Sequence, residues 1–199
     1  MPLFRFVVLL GILTIGSAGS VCAQTEKTFP TDEEITLLLT QTERAVQQYK
    51  PLIDEEDALM GKEAAEAADG MARARALIAA LETTLKALKT KPQAFNGLSG
   101  FAFFEWLDDG SRNALECSAA ASGLTTSAVI DGNKNKAMSL MNLAQACANA
   151  STLMYTVSEN AGALYQKYVE AEDDLLGKTY QAFGACTEQM KKSQPQKSR

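Results

Sequence analysis

The chain is predicted to be all-α, an elongated antiparallel bundle of about four long helices with heptad-like packing. Three features of its 199 residues carry that prediction. The apolar fraction of 46% comes largely from alanine and leucine, which lose little conformational freedom on entering a helix. Proline, which removes a helical hydrogen bond, is rare at 5. Apolar residues also recur at alternating steps of three and four along two long stretches, the pattern of helices packed along one flank.

The first 23 residues read as a cleaved signal peptide. Met1 to Arg5 is a short positive start, Phe6 to Ile15 an apolar run, and Gly16 to Ala23 a small-residue exit. Val21 and Ala23 suit the positions before a cut at Gln24, with a cut after Ala18 as the alternative. The apolar run falls short of the roughly 20 residues that span a bilayer, and no later stretch qualifies. Cys22 raises the alternative of lipidation, but Val21 and Gly19 fit poorly the small residue and leucine expected before a lipidated cysteine. The expected location is therefore outside the cytoplasm, periplasmic or secreted.

Residues 24–30 read as a flexible lead-in to a bundle over 31–190. Thr31 and Glu34 match a capping box at the start of helix 1, whose apolar stripe is Ile35, Leu39, Thr42, Val46 and Tyr49. Pro51 is expected to end or kink it. Helix 2 is expected from about Asp54 to Lys89, on the stripe Met60, Ala64, Ala67, Met71, Ala74, Ile78, Leu81, Leu85 and Leu88, with Gly61 and Gly70 only weakening it. At 1.5 Å per residue it would be roughly 50 Å long. Pro92, Asn96, Gly97 and Gly100 mark a loop.

Helix 3 is placed over about 100–122, with a possible break at Gly110, and Asp131 to Asn133 as a turn. Helix 4 starts near Asn133 and follows Leu140, Leu143, Cys147, Ala150, Met154, Val157, Ala161, Leu164, Tyr168, Ala171 and Leu175. Its stripe then shifts to Leu176, Tyr180 and Phe183, which close to Gly177 suggests a kink or a new helix. Residues 191–199 read as a disordered basic tail. The methionines Met60, Met71, Met138, Met141 and Met154 read mostly as core filler.

After the leader three cysteines remain, and an oxidising compartment favours a disulfide. Cys117 and Cys147 are equidistant from the turn at Gly132, so two antiparallel helices folding there bring them to one height. That pair is preferred; Cys117 with Cys186 is the alternative, and Cys147 with Cys186 needs a sharp fold between them. The odd cysteine is expected to be buried and inert rather than paired between chains.

The chemistry is bounded by what is missing. There is no histidine, so Ser-His-Asp and Cys-His nucleophilic sites and the Glu-x-x-His di-iron motif are excluded. No Cys-x-x-Cys pair and no phosphate-cradling glycine loop occurs. Neither a metal nor any other cofactor is expected. The net charge is −5, which disfavours binding to phosphate backbones and so argues against nucleic acid as a partner.

What remains is the aromatic segment Phe101, Phe103, Phe104, Glu105, Trp106 and Leu107, followed by Asp108 and Asp109. Glu105 and Asp109, four apart on a helix, share a face, and an acid beside an aromatic wall suits general-acid chemistry. Phe101, Phe104, Glu105, Trp106 and Asp109 are therefore the candidate ligand-binding residues, and the ordinary reading is core aromatics beside solvated acids. Glu170, Glu172, Asp173 and Asp174 lack the pattern of a calcium loop and read as a solvated face. Two functions follow. The favoured one is a non-catalytic protein-interaction or structural module that binds an unidentified protein or itself. The alternative is a small-ligand binder or carboxylate-dependent hydrolase built on Phe101–Asp109.

Overall fold

A computed structural model of the chain describes residues 27–60 and 65–193. The leader with Cys22, the start of the lead-in, residues 61–64 and residues 194–199 lie outside the described residues, while residues 191–193, expected in the disordered tail, are helical. Four helices follow in order: α1 (Asp32–Met60), α2 (Ala65–Thr90), α3 (Gly97–Ile130) and α4 (Lys134–Ser193). A 3-10 turn at Pro92–Ala94 joins α2 to α3. Among the described residues there is no strand, so the chain is an all-α bundle as its periodicity predicts.

Local chemistry explains most of the boundaries. Thr31 and Glu34 form the expected capping box: the Thr31 amide donates to Glu34 Oε2 at 2.8 Å and the Glu34 amide to Thr31 Oγ1 at 3.2 Å. Pro51 does not end α1. It sits on the exposed side, where water can take the carbonyl its missing amide leaves free. The buried stripe of Ile35, Leu39, Thr42, Val46 and Tyr49 simply continues through Ile53 to Met60. The expected start of helix 2 at Asp54 is therefore corrected: residues 54–60 finish α1, and α2 begins at Ala65. The three-four spacing runs unbroken across the connection, which hides it from a reading by periodicity alone.

A second capping box opens α3. The Ser99 amide donates to Asn96 Oδ1 at 3.0 Å and the Asn96 amide to Ser99 Oγ at 2.7 Å. Gly110 does not break α3. A Cβ there would come within 2.6 Å of Met154 Sδ and 3.2 Å of Leu77 Cδ2, so glycine is what lets α4 and α2 approach. The helix runs to Ile130 rather than 122, because Ala121 and Ala128 keep packing on Ala137, Leu140 and Leu143. Gly132 then adopts φ 71°, the left-handed conformation a short reversal needs, and Asn133 caps α4 by accepting from the Lys136 amide at 3.1 Å.

The helices alternate in direction. Lys89 meets Glu43 at 2.6 Å, Lys50 meets Glu82 at 2.7 Å, and Arg75 meets Asp57 at 3.0 Å. Each step of seven along α1 is thus answered by a step of seven back along α2, with the sign of charge alternating. Across α3 and α4, Ser111 Oγ donates to the Ser151 carbonyl at 3.0 Å and Ser158 Oγ to the Phe104 carbonyl at 3.3 Å. Asn160 donates to Gln41 at 3.0 Å, and Lys167 reaches Glu34 at 2.6 Å, which sets α1 antiparallel to α4.

The core follows the stripe of α4. Leu140, Leu143, Cys147, Ala150, Met154, Val157, Ala161 and Ala171 are all buried. Cys117 and Cys147 form the disulfide the turn symmetry predicts, buried, with Cα atoms 6.1 Å apart. Two expectations about single residues are corrected. Cys186 is exposed rather than buried, and Met138 and Met141 are exposed while Met60, Met71 and Met154 fill the core. Residues 27–31, which have no regular structure, are tied down: Phe29 packs edge-on against Tyr168 at 5.2 Å and Lys27 pairs with Glu170 at 3.1 Å.

α4 is continuous through Gly177 and is 60 residues long, roughly 90 Å. The last side chain it buries in the bundle is Ala171, and the helix beyond overhangs the end.

The alternating ion pairs specify which way α2 faces α1 more than they add stability, since exposed pairs contribute about 0–1 kcal/mol. Lys50→Glu should lower stability by about 0.5–1 kcal/mol through like charge against Glu82, and adding Glu82→Lys should restore it. Chemical denaturation of the two variants checks the cycle.

Candidate functional site

The structure spreads the five sequence-predicted residues around α3 instead of gathering them. One α-helical residue turns 100°, so Phe101 and Trp106 point to different neighbours. Trp106 and Asp109 enter an open groove of about 520 Å3 between α2 and α3, lined also by Arg73, Leu77, Arg112 and Glu116. Phe101 instead lines a second open groove, of about 490 Å3, with Tyr165, Tyr168, Val169 and Glu172 of α4. Phe104 packs over Gly162, with its ring 3.2 Å from where a Cβ would stand. Glu105 is exposed and lines neither groove. Phe103 and Leu107 between them are fully buried.

The Trp106 groove is mixed, with Leu77 and Trp106 beside ion-paired side chains. Arg112 donates to Asp108 at 2.9 Å and to Asp109 at 2.8 Å, so Asp109 is held as the partner of a guanidinium. The lining holds an indole, carboxylates and guanidinium groups, and no hydroxyl or thiol nucleophile. Asp109 is thus engaged by a guanidinium and exposed to water. Three aromatic rings, of Phe101, Tyr165 and Tyr168, line the Phe101 groove, and those of Phe101 and Tyr165 lie 5.6 Å apart. Its α4 residues Tyr165 and Tyr168 stand three apart on one helical face, although only Tyr168 falls on the apolar stripe of α4. That spacing was the available signal.

One buried acid lies behind these surfaces. Glu56 of α1 is 7% exposed, near Tyr49, Asp57, Arg75 and Glu116. Burial pushes its carboxyl up to about 7, and the like charges of Asp57 and Glu116 add to that rise against the pull of Arg75. Burial likewise raises the Tyr49 phenol, with Glu56 and Glu116 adding to it. At the other end of α1, the hydrogen bond from Lys167 holds the Glu34 carboxyl below its ordinary range.

A further surface feature is the overhang of α4. Leu175 and Leu176 are about half exposed, and Tyr180 and Phe183 are 76% and 72% exposed. The change of stripe at Leu176 reflects the end of the bundle, not a bend in the helix. The acidic residues at its base are partnered in part: Glu170 with Lys27, and Asp174 with Lys178 at 2.8 Å.

Comparison with protein-family models, with curated proteins and with solved structures returns no match to the chain.

A carboxyl that titrates near 7 when folded and near 4.5 when unfolded favours the folded state most below pH 4.5, where it is protonated in both. Stability should fall as pH rises from 4.5 to about 7 and this contribution should level off above that, by on the order of 3 kcal/mol. Glu56→Gln removes the ionisation. Thermal unfolding across this range should show the variant gaining on the native chain as pH rises and matching it at the acid end.

Proposed function

We propose that this chain is exported and acts outside the cytoplasm as a non-catalytic protein-interaction module, a disulfide-fastened helical bundle that presents the free end of α4. The observation that carries this reading is the row of Leu175, Leu176, Tyr180 and Phe183, left exposed on one helix past the last buried residue. Large apolar side chains grouped on a soluble surface mark contact sites. Aromatic residues are also the commonest anchors of protein interfaces.

The export half is supported by the leader-like residues 1–23 and by the Cys117–Cys147 disulfide, a bond that persists in oxidising compartments. Among the described residues no helix is long and apolar enough to cross a membrane. For the hydrolase alternative, Asp109 lines the Trp106 groove paired with Arg112, while Glu105 lies outside that groove, which supports the interaction reading over it.

Intact-mass analysis of the exported protein, with alkylation and cross-linking, tests both halves. The reading expects a chain beginning at Gln24, one reactive thiol at Cys186, and protein cross-links concentrated on 172–193. An unprocessed chain in the cytosol with every thiol reactive contradicts export. Cross-links centred on the α2–α3 groove around Trp106 contradict the assignment to α4.

A further inference from the structure

The overhang of α4 is a helix that its own bundle leaves uncovered. It runs from Glu172 to Ser193, roughly 30 Å, and contains Gly177 and Gly184. An isolated helix of this length is marginal in water, and each interior glycine weakens it by about 1 kcal/mol relative to alanine. Something that covers its apolar side would hold it.

Its residues say what fits. Leu176, Tyr180, Phe183, Thr187 and Met190 alternate by four and three, the seam of a two-stranded coiled coil. The seam is symmetric about Phe183, since Leu176 stands seven before it and Met190 seven after. Reversing a second copy of the segment therefore sets Leu176 level with Met190, and Phe183 level with itself. Charge chooses the same arrangement. The segment begins with Glu172, Asp173 and Asp174 and ends with Lys191 and Lys192. Antiparallel pairing brings each acidic start to the basic end of the other copy, whereas parallel pairing sets acid beside acid and base beside base. Antiparallel pairing also leaves the two bundles at opposite ends of the shared stretch, where they do not collide.

We propose that residues 172–193 of α4 pair antiparallel with the same segment of a second copy of this chain, with Phe183 at the two-fold axis. A closed, isologous dimer results, in which one patch serves both partners. This rests on the reading of the chain as an interaction module and names its partner.

The test uses the mature chain from Gln24. Light scattering should give twice the mass of one chain, and Tyr180→Ser with Phe183→Ser should halve it, while the melting midpoint of the bundle stays unchanged. Direction is read from oxidative cross-linking in a Cys186→Ser background. Phe183→Cys should cross-link with itself. Leu176→Cys should link to Met190→Cys when the two variants are mixed, and not to itself. A dimer that survives the double serine substitution, or one that links Leu176→Cys to itself, overturns the proposal. So does a native chain that is monomeric. If such a monomer still cross-links to another exported protein through 172–193, self-pairing fails and the interaction reading stands; if nothing cross-links there, both fail.

Discussion

Burial of one flank of α4 is the interaction on which the rest of the bundle depends. That flank is out of solvent from Leu140 to Ala161 and again at Ala171, with Leu164 and Tyr168 half-buried between them. Each large apolar side chain so buried contributes about 1.5–3 kcal/mol, which makes this seam larger than any set of surface pairs in the molecule. α3 lies along the seam and α1 against its side, and the small residues Ala114, Ala121, Ala150 and Ala161 let the backbones come close. The disulfide between Cys117 and Cys147 fastens the α3–α4 hairpin midway along its length, closing a loop of 30 residues. By restricting the unfolded chain such a crosslink stabilises by roughly 3–4 kcal/mol.

Polar groups in this structure serve orientation more than strength. The Glu43–Lys89, Lys50–Glu82 and Asp57–Arg75 pairs alternate in sign, so sliding α2 by one heptad along α1 would bring like charges together. Glu56 works the other way. It is an acid kept inside a helical core, in an environment that disfavours its charge, and buried groups of this kind reduce stability at neutral pH. Where α4 outruns its neighbours, the bundle leaves Leu175, Leu176, Tyr180 and Phe183 exposed on one helix.

Much of the fold was legible in the residues. The stripes of α1 and α4, the Thr31 capping box and the turn at Gly132 all follow from spacing and local hydrogen bonding, and the cysteine pair followed from the turn. Three boundaries were hidden for physical reasons. Pro51 is harmless because it faces water, which sequence does not reveal. The α1–α2 connection preserves the apolar period, so nothing in the pattern marks it. Gly110 looks like a breaker and is instead a contact point for Met154. The candidate site is less legible, because proximity along the chain is not proximity in space: five positions of helix separate Phe101 from Trp106, and the two end in different grooves. The shift of stripe at Leu176 was visible, but its cause, the end of the bundle, needed the lengths of the other helices.

Hydrogen–deuterium exchange resolved along α4 tests the central claim most directly. If the buried flank holds the bundle together, amides from Leu140 to Ala171 will be the slowest in the chain and will exchange only with global unfolding. Rapid exchange through that stretch, with slower amides elsewhere, would contradict the account.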